Sequence, residues 1–215
     1  MIAVYGATGY TGRLVAAELE RRGLRAVLSG RDSERLRKLA AEVSPRAAIR
    51  PAAVADRTAL AAAFRGCNAV INCAGPFRRL GPPVVRAAIA AGCHYVDTSA
   101  EQAHIRNVFD TFSTDARHAG VSVVPATRYD IIPGDFIAHL TGTRVEPVER
   151  LVLGNGTPRF SMTRGSPRST LVMMKGGDVA YEDGAWVKAR RVRRLKLQSP
   201  ETPSPLRWSS SPPAR

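Results

Sequence analysis

The sequence predicts an α/β fold. A doubly wound parallel sheet spans residues 1–133, a partial α+β region follows over 134–187, and residues 188–215 form a basic, Pro/Ser-rich tail. Three observations support this. Strand-like and helix-like segments alternate from Ile2 to Pro125, and parallel strands need crossovers of about a dozen residues, which helices supply. The strand segments are apolar throughout, as expected where a sheet is covered on both faces. Finally, GATGYTG places Gly6, Gly9 and Gly12 directly between the first strand and the first helix.

The elements follow in order. Residues 2–5 (IAVY) read as a strand. Residues 12–22 read as a helix with Leu14, Val15, Ala17 and Leu19 in its apolar stripe, closed by Gly23. Residues 25–29 are the second strand, and Ser33–Val43 the second helix, striped by Leu36, Leu39 and Ala40. A third strand is expected near 48–54, then a helix over 57–64. Residues 68–73 (NAVINC) are the fourth strand, followed by a helix over 82–91 closed by Gly92. Residues 94–97 are the fifth strand, 105–118 a helix closed by Gly120, and 121–125 the sixth strand. Beyond Pro133 the spacing predicts a short helix over 134–140, a strand over 148–153, a loop and helix in TRGSPRSTLVMMKGG, and a hairpin in VAYEDGAWV turning at Asp183-Gly184. Residues 199–215 hold five Pro and five Ser in seventeen positions, a composition that cannot bury a core and predicts disorder.

The net charge of +14 raises nucleic-acid binding, but its distribution argues against it. Residues 188–215 carry eight Lys or Arg and one acid, Glu201, hence half of the total charge. The other half is spread over the preceding 187 residues. A nucleic-acid partner is therefore not expected. No run approaches the ~18 apolar residues of a membrane helix, and a strand at Ile2 leaves no room for a signal peptide. A cytoplasmic protein is the expectation. Cys67, Cys73 and Cys93 are odd in number and lack CxxC spacing, so buried reduced thiols are expected rather than disulfides or a zinc site. The histidines show no metal spacing, and no metal is expected.

The glycine triplet stands in the context a dinucleotide fingerprint requires, with a strand before it and a helix after it. Gly6 permits the tight turn, Gly9 lets backbone N–H groups approach a pyrophosphate, and Gly12 lets the helix pack on the sheet. The pyrophosphate then rests on the helix N-terminus. The second strand distinguishes the nucleotide. An NAD site places Asp or Glu there for the ribose 2′-OH, whereas this strand ends Ser29-Gly30-Arg31. A guanidinium suits a 2′-phosphate by charge and planar donors, so NADP(H) is the expected cofactor. The neighbouring Asp32 or Ser33 is expected to cap the next helix.

GATGYTG, SGRD, NCAGPF and AAGCHYVDTSAE together resemble the saccharopine dehydrogenase-like NADP-binding domain family, which includes trans-acting enoyl reductases. The resemblance runs from Ile2 to about Val187. It implies an NADP(H)-holding Rossmann domain and an α+β domain that covers the nicotinamide and carries substrate contacts. It assigns Gly6, Ala7, Thr8, Gly9, Tyr10, Thr11 and Gly12 to the pyrophosphate, and Ser29, Gly30 and Arg31 to the 2′-phosphate. Asp56 falls near the adenine. Cys73, Ala74, Gly75 and Pro76 fall on the nicotinamide side, and Asp97-Thr98-Ser99 forms the turn after the fifth strand.

The chain departs from the family in two ways. Arg128 stands where relatives carry a small residue, and the second region gives way after Val187 to a basic run. A truncation or a shifted reading frame is the expectation for that change.

No tyrosine is followed four residues later by lysine, which excludes the short-chain reductase arrangement. Asp97, Tyr129 and Asp130, at strand ends, are the candidates to orient substrate or move a proton. The leading expectation is an NADP(H)-dependent oxidoreductase transferring hydride between NADPH and a small or acyl-thioester substrate, with a homodimer as the implied assembly. The alternative is a catalytically inactive NADP(H)-binding protein, either a sensor or a decayed paralogue.

Overall fold

The computed structural model describes residues 1–145, 147, 148, 178–182 and 185–189. The chain runs β1 (Ile2–Tyr5), α1 (Tyr10–Arg21), β2 (Ala26–Ser29), α2 (Ser33–Val43), β3 (Ala48–Ile49), α3 (Arg57–Phe64) and β4 (Ala69–Asn72). It continues through α4 (Phe77–Ala90), β5 (His94–Asp97), α5 (Gln102–His118), β6 (Val123–Val124) and α6 (Ile132–Gly142). The hairpin strands β7 (Asp178–Glu182) and β8 (Ala185–Ala189) complete the described elements.

β1–β6 form one parallel sheet in the order β3-β2-β1-β4-β5-β6. This is the doubly wound Rossmann arrangement. The strand order reverses between β1 and β4, and ligands of such sheets bind at that point, beyond the carboxyl ends of the strands. The register sets Ser29, Tyr5, Asn72 and Asp97 side by side as the last residues of β2, β1, β4 and β5.

Two cores explain the apolar strands. Ala3 and Tyr5 enter one core with Val70 and Tyr95, beneath Leu60, Phe64, Val84 and Phe112 of α3, α4 and α5. Val4 enters the other with Leu28, beneath Ala16, Leu19, Leu36 and Leu39 of α1 and α2. Alternate residues of one strand are therefore buried on opposite faces.

Several boundaries differ from expectation. β3 stops at Ile49 because Pro51 has no N–H to continue a ladder, although Ala52 N still donates to Gly30 O at 2.8 Å. α1 begins at Tyr10, and its buried face is Gly12, Ala16 and Leu19, while Leu14 is 57% exposed. α4 begins five residues early at Phe77 and contains Pro82 and Pro83. α5 begins at Gln102, so His104 continues the buried stripe of Val108, Phe112 and Ala116. β7 and β8 pair antiparallel with Glu182 opposite Ala185, which leaves Asp183-Gly184 between them as expected for the hairpin. The expected strand over 148–153, the helix in TRGSPRSTLVMMKGG and the tail from 190 onward lie outside the described residues.

Phe64 is fully buried and meets the Tyr5 ring edge-on at 6.1 Å. Phe64→Ala is expected to cost about 3–5 kcal/mol of stability, read as a lowered urea midpoint with an unchanged slope.

Candidate cofactor site

The crevice at the switch point is built by backbone. Gly6 has φ +77°, and a Cβ there would lie 2.9 Å from Ala74 N and from Ala74 Cβ. The turn after β1 thus lies directly against the turn after β4. A Cβ at Gly12 would fall on Gly6 O and lie 2.7 Å from Ala7 Cα, so only glycine lets α1 approach its own loop. Gly9 is less constrained, since a Cβ would meet only Gly6 O at 3.3 Å. Within the protein nothing demands glycine at that place, and its value is room for a ligand. Gly6 N and Ala7 N both donate to Ser29 O, at 3.0 and 3.2 Å, which pins the loop to the end of β2. Thr8 and Thr11 are half-buried beside the loop, and Tyr10 is exposed.

The helix N-termini along this edge are not equivalent. Asp32 caps α2 by accepting from Arg35 N at 3.0 Å, as expected. Asp56 caps α3 by accepting from Ala59 N at 2.9 Å. Glu101 reaches from the start of α5 to accept from Phe77 N at 2.9 Å and Arg78 N at 2.7 Å, closing α4. Among α1–α4, α1 is different, because its N-cap is Gly9 and no side chain caps it. Its opening N–H groups therefore remain for an anion, which the helix dipole favours. The cradle fits a pyrophosphate.

Beside it, Arg31 is exposed, and no carboxylate pairs with it among the described residues. Burial raises the Tyr5 phenol pKa, and the Arg31 charge opposes that rise, which puts the guanidinium close to the end of β1. Ser29 is fully buried, and its Oγ has no hydrogen-bond partner among the described residues. Gly30 is buried and a Cβ there would meet nothing.

The turn Cys73-Ala74-Gly75-Pro76 leads from β4 into α4, and its Gly75-Pro76 bond is cis. Cys73 is half-buried and bonded to the Thr98 side chain, and burial together with the Asp97 charge pushes its thiol up to about 12. Cys67 and Cys93 are buried free thiols.

Of the three candidates for chemistry, Asp97 is fully buried. Oδ2 accepts from the Tyr95 hydroxyl at 2.9 Å and lies 2.7 Å from His104 Nε2. Oδ1 accepts from Ser99 N at 3.0 Å and Ala126 N at 2.9 Å. This carboxylate touches no solvent, which removes it from direct contact with substrate. Burial alone would raise its pKa. The His104 contact and the N–H groups of Ala126 and Ser99 outweigh burial and hold the carboxyl below its ordinary range. Tyr129 is 74% exposed. Asp130 is held by Arg128 through two bonds, at 2.6 and 2.8 Å. Arg128 thus forms a local ion pair across the turn after β6.

The sequence reading missed His104 and Glu101. Glu101 precedes one helix and caps another, 24 positions away from Phe77. His104 offered a signal, because it sits four residues before Val108 on the buried stripe of α5.

The profile of the saccharopine dehydrogenase NADP binding domain matches residues 2–124. The chain belongs to this family. NADP(H) is its cofactor. A lipid droplet localized protein of Caenorhabditis elegans is 37% identical over 191 residues, covering 81% of this chain and 45% of that protein. A trans-acting enoyl reductase of Mycobacterium tuberculosis is 37% identical over 139 residues, covering 62% of this chain and 33% of that one. The apo saccharopine dehydrogenase (L-Glu forming) of Saccharomyces cerevisiae superposes with a TM-score of 0.54 at 20% identity, over 65% of this chain and 30% of that chain, and shows the same fold. The chain spans less than half the length of these curated relatives.

Two outcomes follow for the NADP-binding domain. Gly12→Ala drives a Cβ into Ala7 and is expected to cost about 1–3 kcal/mol, read by chemical unfolding, and to abolish NADPH binding in a fluorescence titration. The lowered pKa of Asp97 contributes stability that is present above the ordinary carboxylate pKa and lost as pH falls through the folded value. Urea midpoints measured from pH 7 downward are expected to fall below about pH 4, and Asp97→Asn to flatten that acid limb.

Proposed function

We propose that this chain is the cofactor-holding part of an NADP(H)-dependent oxidoreductase, with an acyl thioester or a small imine as substrate. The observation that carries the reading is the open N-terminus of α1, alone among α1–α4 in lacking a carboxylate cap, with Arg31, which no carboxylate pairs among the described residues, beside it. The enoyl reductases among the relatives favour the thioester class. When bound, the cofactor supplies or accepts the hydride. The chain's own residues do the rest. The α1 N–H groups would hold the pyrophosphate, Arg31 and Ser29 the 2′-phosphate, and Asp56 would lie near the adenine. The Cys73–Pro76 turn and Thr98 would face the nicotinamide half. Residues 1–133 would form the cofactor unit and 134–187 a region for substrate and pairing into a homodimer. The cytoplasm is the compartment that three free thiols support. No helix among the described residues is long and apolar enough to cross a membrane.

A specific observation favours a second reading, NADP(H) binding without turnover. Asp97 is sealed inside the protein and Asp130 is held by Arg128, which leaves Tyr129 as the exposed member of the three candidates.

Fluorescence titration is expected to show NADPH bound about tenfold or more tightly than NADH, with Arg31→Ala erasing the preference by weakening NADPH alone. Equal affinities in the unaltered protein would overturn the 2′-phosphate assignment. NADPH oxidation against enoyl thioesters and imines then separates the enzyme from the silent binder.

A further inference from the structure

Asp97 stands at the head of a chain of hydrogen bonds that ends in the turn after β4. The Tyr95 hydroxyl donates to Asp97 Oδ2 at 2.9 Å and accepts from Asn72 Nδ2 at 3.0 Å. Asn72 Oδ1 in turn accepts from Ala74 N at 3.0 Å. The direction of every bond follows from the first. A carboxylate can only accept, so the tyrosine must donate to it and receive from the amide nitrogen of Asn72. The amide oxygen then faces Ala74. If the head of the chain lost its fixed sense, the amide could turn over and present N–H to N–H at Ala74.

We infer that Asp97 is a positioning residue, which acts through Tyr95 and Asn72 to hold the Cys73–Pro76 turn in its binding conformation. The statement that this turn serves the nicotinamide half rests on the cofactor reading above, whereas the geometry of the turn does not. Three features support the inference. All members of the chain from Asn72 to Asp97 are buried, so water does not compete for the bonds. Ala74 backs onto Gly6, so a shift in this turn reaches the pyrophosphate loop. The opposite oxygen of Asp97 is held by Ser99 N and Ala126 N, so the carboxylate has one orientation from which to act.

Cys73 reports on the turn without any cofactor. Tyr95→Phe removes one hydroxyl, keeps the ring in the core, and leaves the Asp97 charge near Cys73 in place. Its effect is read by alkylation with iodoacetamide, resolved by mass spectrometry at each cysteine. Cys73 is expected to react about tenfold faster than in the unaltered protein, with the buried Cys67 and Cys93 unchanged. Asn72→Ala breaks the chain one step nearer the turn and is expected to give the same pattern. An unchanged Cys73, or three cysteines rising together as in general loosening, overturns the inference. In parallel, Tyr95→Phe is expected to weaken NADPH about tenfold and 2′,5′-ADP, which lacks the nicotinamide half, less than about twofold. Equal losses overturn the nicotinamide-side assignment. Failure of the unaltered protein to bind either ligand would sink the cofactor reading, while the cysteine rates would still decide whether Asp97 holds the turn.

Discussion

One buried carboxylate holds three strand ends together. Asp97 closes β5, accepts from the backbone of the turns after β5 and β6, and reaches the turn after β4 through Tyr95 and Asn72. Its backbone oxygen also receives Thr127 N at 2.7 Å and the Thr127 hydroxyl at 2.8 Å. A charge taken out of water is costly unless its oxygens are satisfied, and here they are. The same satisfaction compels the geometry around it. Ala126 adopts φ +62°, a left-handed backbone that costs a non-glycine residue about 1–2 kcal/mol, and its N–H points at Asp97 as a result. His104 completes the shell. Its ring packs on Phe77 at 5.7 Å and occupies the space a Cβ at Gly81 would need, so α4 can approach α5 only through glycine.

A second constraint decides where a ligand can go. A helix N-terminus is an anion site unless the protein fills it. Asp32 and Asp56 each fill that of the helix directly following them, and Glu101 fills that of α4 from 24 residues away. The Glu101 cap also accounts for α4 starting at Phe77 despite Pro82 and Pro83. Two of its first N–H groups are satisfied from outside, so the helix can begin before the prolines and tolerate the backbone bonds they omit. α1 is left open, and the glycines that keep side chains out of it lie where the sheet order reverses. Among the uncapped N-termini of α1, α5 and α6, topology thus singles out α1, which stands at the reversal of the sheet.

This explains what was legible in the sequence. Gly6, Gly12, Ser29 and Arg31 lie within one βαβ unit, where local spacing translates directly into space. α2 and α3 were readable to the residue because their caps, Asp32 and Asp56, immediately precede them. The α4 start was not readable, because its cap is remote in sequence. Asp97 drew notice as a carboxylate at a strand end, but its role depends on the depth at which it lies. Tyr95 precedes it by two residues on the same face of β5, whereas His104 reaches it from α5 by packing rather than by any motif.

The two halves of the crevice are consequently built on different principles. The half at the glycine loop is made of backbone, with Gly6 and Gly12 whose replacement meets other backbone atoms, and it depends little on side-chain chemistry. The opposite half is made of a turn tied to a buried polar chain, and among the described residues at its strand ends Asp97 is buried and Asp130 is paired. The ionisable groups Asp97, Tyr95 and Glu101 beside that turn are already committed to holding it. Asp130 is likewise tied down by Arg128. A proton needed alongside hydride transfer would therefore come from the substrate, from solvent, or from residues beyond the turn. On the proposed function, the sheet's strand ends would orient the cofactor, and the choice of substrate would fall to whatever covers them.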